Sequence, residues 1–96
     1  VDNDNHRLIR LDLENQGQVL AGRFGESLGQ LHHPFLIAVN ALGDALVSDV
    51  INGRVAAFNS KAGPLPSIGA YGIELGQLYR PKGVACDADG NVWVSD

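Results

Sequence analysis

The side chains able to do chemistry are few and unevenly placed. His32 and His33 form the one clustered pair of potential metal ligands. Neighbouring residues in a strand point to opposite faces, so this pair is not expected to converge on one ion. His6 is expected to be exposed. Asp2, Asn5 and Arg7 recur as Asp49, Asn52 and Arg54, and Asp96 supplies a third aspartate. These residues could ring a ligand, but a structural role explains them better. A carboxylate at a strand end accepts loop N–H groups, and Asn bonds nearby backbone. A single catalytic centre draws different residues from different places, whereas recurrence in every copy is what a fold demands. Arg80 and Lys82 beside Tyr79, with Arg23 and Phe35, could offer a few cations and rings to RNA. Cys86 sits in an apolar stretch and is expected to behave as a small buried hydrophobe. The chain carries no nucleophile elbow, phosphate loop, zinc-ligand spacing or EF-hand loop. No catalytic residue, metal ligand or cofactor is assigned.

The elements that position these groups emerge from an internal repeat. Asn5-His6-Arg7-Leu8 returns as Asn52-Gly53-Arg54-Val55, and Leu28-Gly29-Gln30-Leu31 as Leu75-Gly76-Gln77-Leu78, both at an offset of 47 residues. Pro34 falls on Pro81, Gly43 on Gly90 and Val47-Ser48-Asp49 on Val94-Ser95-Asp96 at the same offset, with no gap. The two copies share 16 of 49 aligned positions. Chance would give about two or three, and self-similarity at a fixed period marks a repeat architecture.

This period suits paired helices or four-stranded blades. The local pattern decides for strands. Leu36–Val39, Ala45–Val47, Val55–Phe58, Val84–Cys86 and Val92–Val94 are short apolar runs bounded by Gly, Asn, Asp or Pro. No longer window keeps a helical stripe, and Pro34, Pro64, Pro66 and Pro81 would interrupt helices. One repeat reads as strands at Leu36–Asn40, Ala45–Asp49, Arg54–Asn59 and Leu65–Ile68, with turns at Ala41–Asp44 and around Lys61–Gly63. The first three strands are apolar on both faces and predict sheets packed on both sides. The fourth is polar and suits an exposed edge. The expected fold is all-β, built from radially packed four-stranded antiparallel blades of a β-propeller.

Composition narrows the function classes. The chain has 96 residues, 45% of them hydrophobic, and a formal net charge of −4. That apolar content excludes general disorder, and the acidity gives no broad basic footprint for nucleic acid. No apolar run approaches the ~18 residues of a membrane span, and no signal-like segment opens the sequence. One cysteine excludes an internal disulfide.

Phe24-Gly25, Gly29-Gln30-Leu31, Pro34, an apolar strand, a Gly-centred turn, Val47-Ser48-Asp49 and Asn52-x-Arg54-Val55-x-x-Phe58 together resemble an NHL repeat. The second copy matches at Tyr71-Gly72, Gly76-Gln77-Leu78, Pro81-x-Gly83-Val84-Ala85 and Asp89-Gly90-Asn91-Val92-Trp93-Val94-Ser95-Asp96. Leu36 and Leu42 depart from it, where the next copy has Gly83 and Asp89. The resemblance implies a propeller that is six-bladed when complete, of which the chain is roughly a two-blade fragment. Residues 1–24 would be the outer strands of one blade, 25–71 a complete blade and 72–96 the inner strands of a third. Alternatively, three copies of the chain would close a ring by self-assembly.

Fold alone does not give function. The favoured expectation is a non-catalytic scaffold that binds a protein or small ligand through the loop face formed by residues 25–34, 72–81 and 49–54. His33, Phe35, Arg80 and Lys82 are its candidate contacts. A metal-dependent propeller enzyme, amidating-lyase-like or lactonase-like, is the alternative. In the lyase, zinc-binding histidines follow the repeat's proline, where this chain has Phe35 and Lys82. An RNA-binding propeller is a third possibility, disfavoured by the acidic balance. Cys86 and Trp93 are expected inside the packing between blades.

Overall fold

In the computed structural model the described residues are 1–11 and 18–96, with residues 18–20 described through their backbone only. Residues 12–17 of the expected 1–24 unit lie outside the described residues. Eight strands follow a short 3-10 turn at Asn3–Asn5: β1 (Leu8–Leu11), β2 (Gln18–Ala21), β3 (Pro34–Val39), β4 (Ala45–Asp49), β5 (Arg54–Phe58), β6 (Pro64–Ile68), β7 (Gly83–Cys86) and β8 (Val92–Ser95). They form three antiparallel sheets: β1-β2, the four-stranded β3-β4-β5-β6, and β7-β8. The all-β reading holds, and the observed strands superimpose on the repeat. β1 and β2 stand 47 residues before β5 and β6, and β7 and β8 stand 47 after β3 and β4. Among the described residues no helix is long and apolar enough to cross a membrane.

The hairpins turn where one side chain can take over the backbone's acceptor role. Asn40 Oδ1 accepts the N–H groups of Leu42 and Asp44, each at 3.0 Å. Asn59 Oδ1 does the same for Lys61 and Gly63, each at 2.9 Å. Asp87 Oδ1 repeats the arrangement for Asp89 and Asn91, at 3.0 and 2.8 Å. A short polar side chain at the start of each turn thus satisfies two donors that the hairpin would leave open.

Two apolar clusters lie on either side of the central sheet. Leu8, Leu31, Val47, Ala56 and Phe58 join it to the first sheet, with Ala21 and Ala45 packed at the margin. Leu46, Val55 and Ala57 pack against Leu78, Val84, Cys86, Val92 and Val94, joining it to the last sheet. Cys86 is half-buried here. The small side chains at positions 56 and 57 let neighbouring sheets approach closely.

Burial on both faces is observed for β4 and β5, where Leu46–Asp49 and Val55–Phe58 are all buried. It is not observed for β3, whose Phe35, Leu36, Ile37 and Val39 stay exposed. β3 is an edge strand with β7 packed beside it on one side, and no described strand lies over its other side. Trp93 also departs from expectation. It is 65% exposed, because among the described residues no further sheet covers its face of β8. β6 is the outer edge strand, alternating exposed and half-buried residues as its polar pattern predicts.

Two measurements check this packing. Leu31 is fully buried while Leu28 is largely exposed. Leu31→Ala is expected to lower the unfolding free energy by about 2–5 kcal/mol in urea titrations, and Leu28→Ala to change it by no more than about 0.5 kcal/mol. At the β7–β8 turn, the Trp93 indole N–H, the Asn91 amide and backbone N–H groups hold the Asp87 carboxyl down at about 2, against an ordinary value of 3.8. A depressed carboxyl contributes stability above its unfolded value and loses it as pH falls through its folded value. The emission of the single tryptophan is therefore expected to titrate with a midpoint near pH 2, and Asp87→Asn to remove that transition. A midpoint near the unperturbed carboxyl value would contradict the hydrogen-bonded turn.

Candidate loop-face binding site

The loop before β3 is folded by its own sequence. Gly25 has φ near +150°, and the Gln30 side chain lies where a Cβ would project. Gln30 Oε1 accepts the Ser27 N–H at 3.0 Å, and Leu31 inserts into the core beneath. Gly72, Gln77 and Glu74 repeat the arrangement, with a 3.1 Å bond from the Glu74 N–H to Gln77 Oε1. Only glycine accepts both that backbone angle and that close side chain.

The recurring polar residues fasten this loop to the β4–β5 connection. Asp49 is 0% exposed, at the end of β4. One carboxylate oxygen accepts the His32 N–H at 2.7 Å, and the other accepts Asn52 Nδ2 and Arg54 Nε, both at 2.8 Å. Asn52 also donates to the Gly25 carbonyl at 2.8 Å. The Arg54 guanidinium donates to the carbonyls of Glu26, Ser27 and Gln30 at 2.9, 3.0 and 2.6 Å. In the first copy, Asp2 takes Asn5 at 3.0 Å and Arg7 at 2.7 Å. Hydrogen bonds from Asn5 and then Arg7 hold the Asp2 carboxyl below its usual range. In the last copy, Asp96 accepts the N–H groups of Tyr79 and Arg80 at 3.0 and 2.8 Å. The loops before β3 and before β7 and the β4–β5 connection thus share one face, and an open depression lined by Glu26, Ser27, Ile51, Asn52 and Tyr71 lies between them.

On that face the histidines gather, and the premise that His32 and His33 lie in a strand fails. β3 starts only at Pro34, and His33 has φ +54°, outside any strand. The His32 and His33 rings therefore stack, with centroids 5.3 Å apart and planes at 25°. His6 is half-buried rather than exposed. Its ring meets Phe24 and His33 at 4.8 Å and His32 at 5.5 Å. The cause lies in the backbone: His6 has φ +54° where the next copy has Gly53 at φ +62°. A Cβ on Gly53 would strike Tyr71, the counterpart of Phe24, and the His6 side chain occupies the equivalent space. His6 Nδ1 accepts the His33 N–H at 2.9 Å, which places the neutral ring's proton on Nε2. Asn3 also bridges to the loop, donating to the Pro34 carbonyl at 2.6 Å.

A matching group stands one repeat later. Phe24, His32 and His33 correspond to Tyr71, Tyr79 and Arg80 at the offset of 47. Phe24 and His32 meet edge to face at 4.7 Å, Tyr71 and Tyr79 tilt together at 5.7 Å, and the Arg80 guanidinium lies 4.4 Å from the Tyr79 ring centroid. Each copy thus presents a pair of rings followed by a basic group. His33 and Arg80 belong to these groups. Phe35 and Lys82 are exposed at the equivalent position just after the proline, outside the ring contacts. Phe24, His6, His32 and Tyr71 were not singled out as contacts from sequence, although a ring at both copies of positions 24 and 32 was a legible signal. Among the described residues, no group of three or more His, Cys, Asp or Glu side chains is arranged to hold a metal ion.

Comparison with models of known protein families and with curated proteins returns no match in either.

Asp49→Ala would leave the Arg54 guanidinium, whose side chain is only 13% exposed, without its carboxylate. A loss of about 3–5 kcal/mol is expected in urea unfolding. Asp2→Ala is expected to cost less, because water reaches both partners of that pair. Equal losses would mean that burial does not distinguish the two copies.

Proposed function

We propose that the chain is a run of NHL-type propeller blades and a non-catalytic scaffold that binds a protein or small ligand through its loop face. One observation carries the binding reading: a ring pair and a basic group recur at one position of successive copies, on one face. The Asp49–Asn52–Arg54 group spends its hydrogen bonds on loop backbone and on its own members, which suits a structural role better than a catalytic one. Phe24 and Tyr71, by contrast, are more than half exposed. Rings held in place by neighbours lose little conformational freedom on binding, which is why aromatic and arginine side chains dominate binding hot spots. The blade reading is supported by strands repeating at a constant offset and by sheets packed side by side through small apolar residues.

The reading is tested by screening peptides rich in aromatic and carboxylate side chains by fluorescence polarisation, with a single-stranded oligonucleotide as control. Binding is expected for a peptide, and Tyr71→Ala with Tyr79→Ala is expected to weaken it about tenfold or more, the scale of 1.4 kcal/mol or above. Peptide binding that survives both changes would remove the loop face from the function. Oligonucleotide binding that falls steeply with salt would favour the RNA alternative.

A further inference from the structure

Asn52 is the only asparagine in the sequence that is followed by glycine. In such a pair the next backbone nitrogen reaches the side-chain amide with no Cβ in its way, so this dipeptide loses ammonia in water more readily than other asparagine pairs. Two separate structural demands create it here. Position 52 needs an amide: Asn52 Nδ2 donates to Asp49 Oδ2 and to the Gly25 carbonyl, both at 2.8 Å, and so ties the β4–β5 connection to the loop before β3. Position 53 needs a residue without a Cβ. At its φ of +62°, a Cβ would lie 2.7 Å from the Leu78 carbonyl oxygen and 2.8 Å from Tyr71 Cδ2. The first copy has Asn5-His6 at these positions, so the reactive pair is confined to one junction.

The same contacts hold the reaction back. Gly53 is buried, and its N–H donates to the Val50 carbonyl at 3.2 Å, so the proton that must leave before the nitrogen can attack is engaged. The Asn52 amide is held by an acceptor from β4 and another from the loop before β3, and its carbon is not free to swing towards that nitrogen. Opening of the β4–β5 connection releases both groups together.

We propose that Asn52 is a modification site, which deamidates spontaneously when the β4–β5 connection opens and whose product does not restore the fold. Base removes the Gly53 N–H proton, and the nitrogen bonds to Asn52 Cγ while the Cγ–Nδ2 bond breaks and ammonia leaves. Water then opens the cyclic imide at either carbonyl. One product is aspartate, and the other is its isomer, in which the main chain runs through Cβ and Cγ. Neither keeps a donor for Asp49 or for the Gly25 carbonyl. Aspartate sets a second carboxylate beside Asp49, which is 0% exposed, and like charges sharing one site repel. The isomer also adds a carbon to the turn Val50–Gly53. Deamidation is therefore a one-way exit from the folded population, and it makes the lifetime of the fold a kinetic quantity. The inference does not depend on any loop-face ligand.

Peptide mapping by mass spectrometry tests it on the 96-residue chain, kept in mildly alkaline buffer with and without urea. In urea, Asn52 is expected to convert ahead of Asn59, which precedes Ser60, and ahead of Asn5. Without urea, Asn52 is expected to convert at least about tenfold more slowly, because reaction is confined to the opened fraction. Asp49→Ala removes one of the two acceptors and is expected to bring the rate without urea towards the denatured rate. Asn52→Asp, which is one of the two products, is expected to unfold at lower urea than the wild type or not to fold. Equal rates with and without urea, conversion of Asn59 ahead of Asn52 in urea, a rate that Asp49→Ala leaves unchanged, or an Asn52→Asp chain as stable as the wild type would each overturn the proposal.

Discussion

The buried Asp49 carboxylate is the constraint on which the rest of the arrangement depends. A charge fully out of water must be paired and hydrogen-bonded to be tolerated. Asp49 meets that demand with three partners from three places: the β3 approach, the β4–β5 loop and the start of β5. Satisfying one carboxylate therefore fixes the separation of two loops and the path of the chain into β3. Arg54 extends the constraint by covering carbonyls along the preceding loop, groups that would otherwise end a tight turn without donors. The loop that carries Phe24, His32 and His33 is tied down through this charge.

Much of this was legible in the sequence, and for definite reasons. Strand positions follow from short apolar runs between turn residues, and the repeat lets each boundary be checked against its copy. β3 begins two residues earlier than the apolar run suggests, since Pro34 pairs with Asp49 ahead of the irregularity between Pro34 and Ile37. Asp49, Asn52 and Arg54 bond to the loop backbone and to one another. The histidine cluster was hidden because it depends on positive φ at His6 and His33, a property of single residues that no apolar period encodes. Gly53, standing where the other copy has His6, was the available hint. Burial of Trp93 was misjudged for a different reason: its alignment with Leu46 carries over the position in a sheet but not the presence of a covering neighbour.

The two loop faces show how a repeat diverges without losing its frame. His6 and Gly53 share a backbone conformation, yet one fills the space beneath its aromatic neighbour and the other leaves the backbone against it. The imidazole turns a bare junction into a cluster of three histidines and a phenylalanine, while the next junction keeps two tyrosines and an arginine. The shared glycines, glutamines and aspartates set the geometry, and the ring positions vary the chemistry offered on it.

The outer strand β6 has a consequence for how copies of such a chain can coexist at high concentration. Two of its five residues are Pro64 and Pro66, which have no N–H to donate. An incoming strand would find that edge unable to complete a ladder, so the outside of the central sheet resists the edge-to-edge pairing that seeds amyloid.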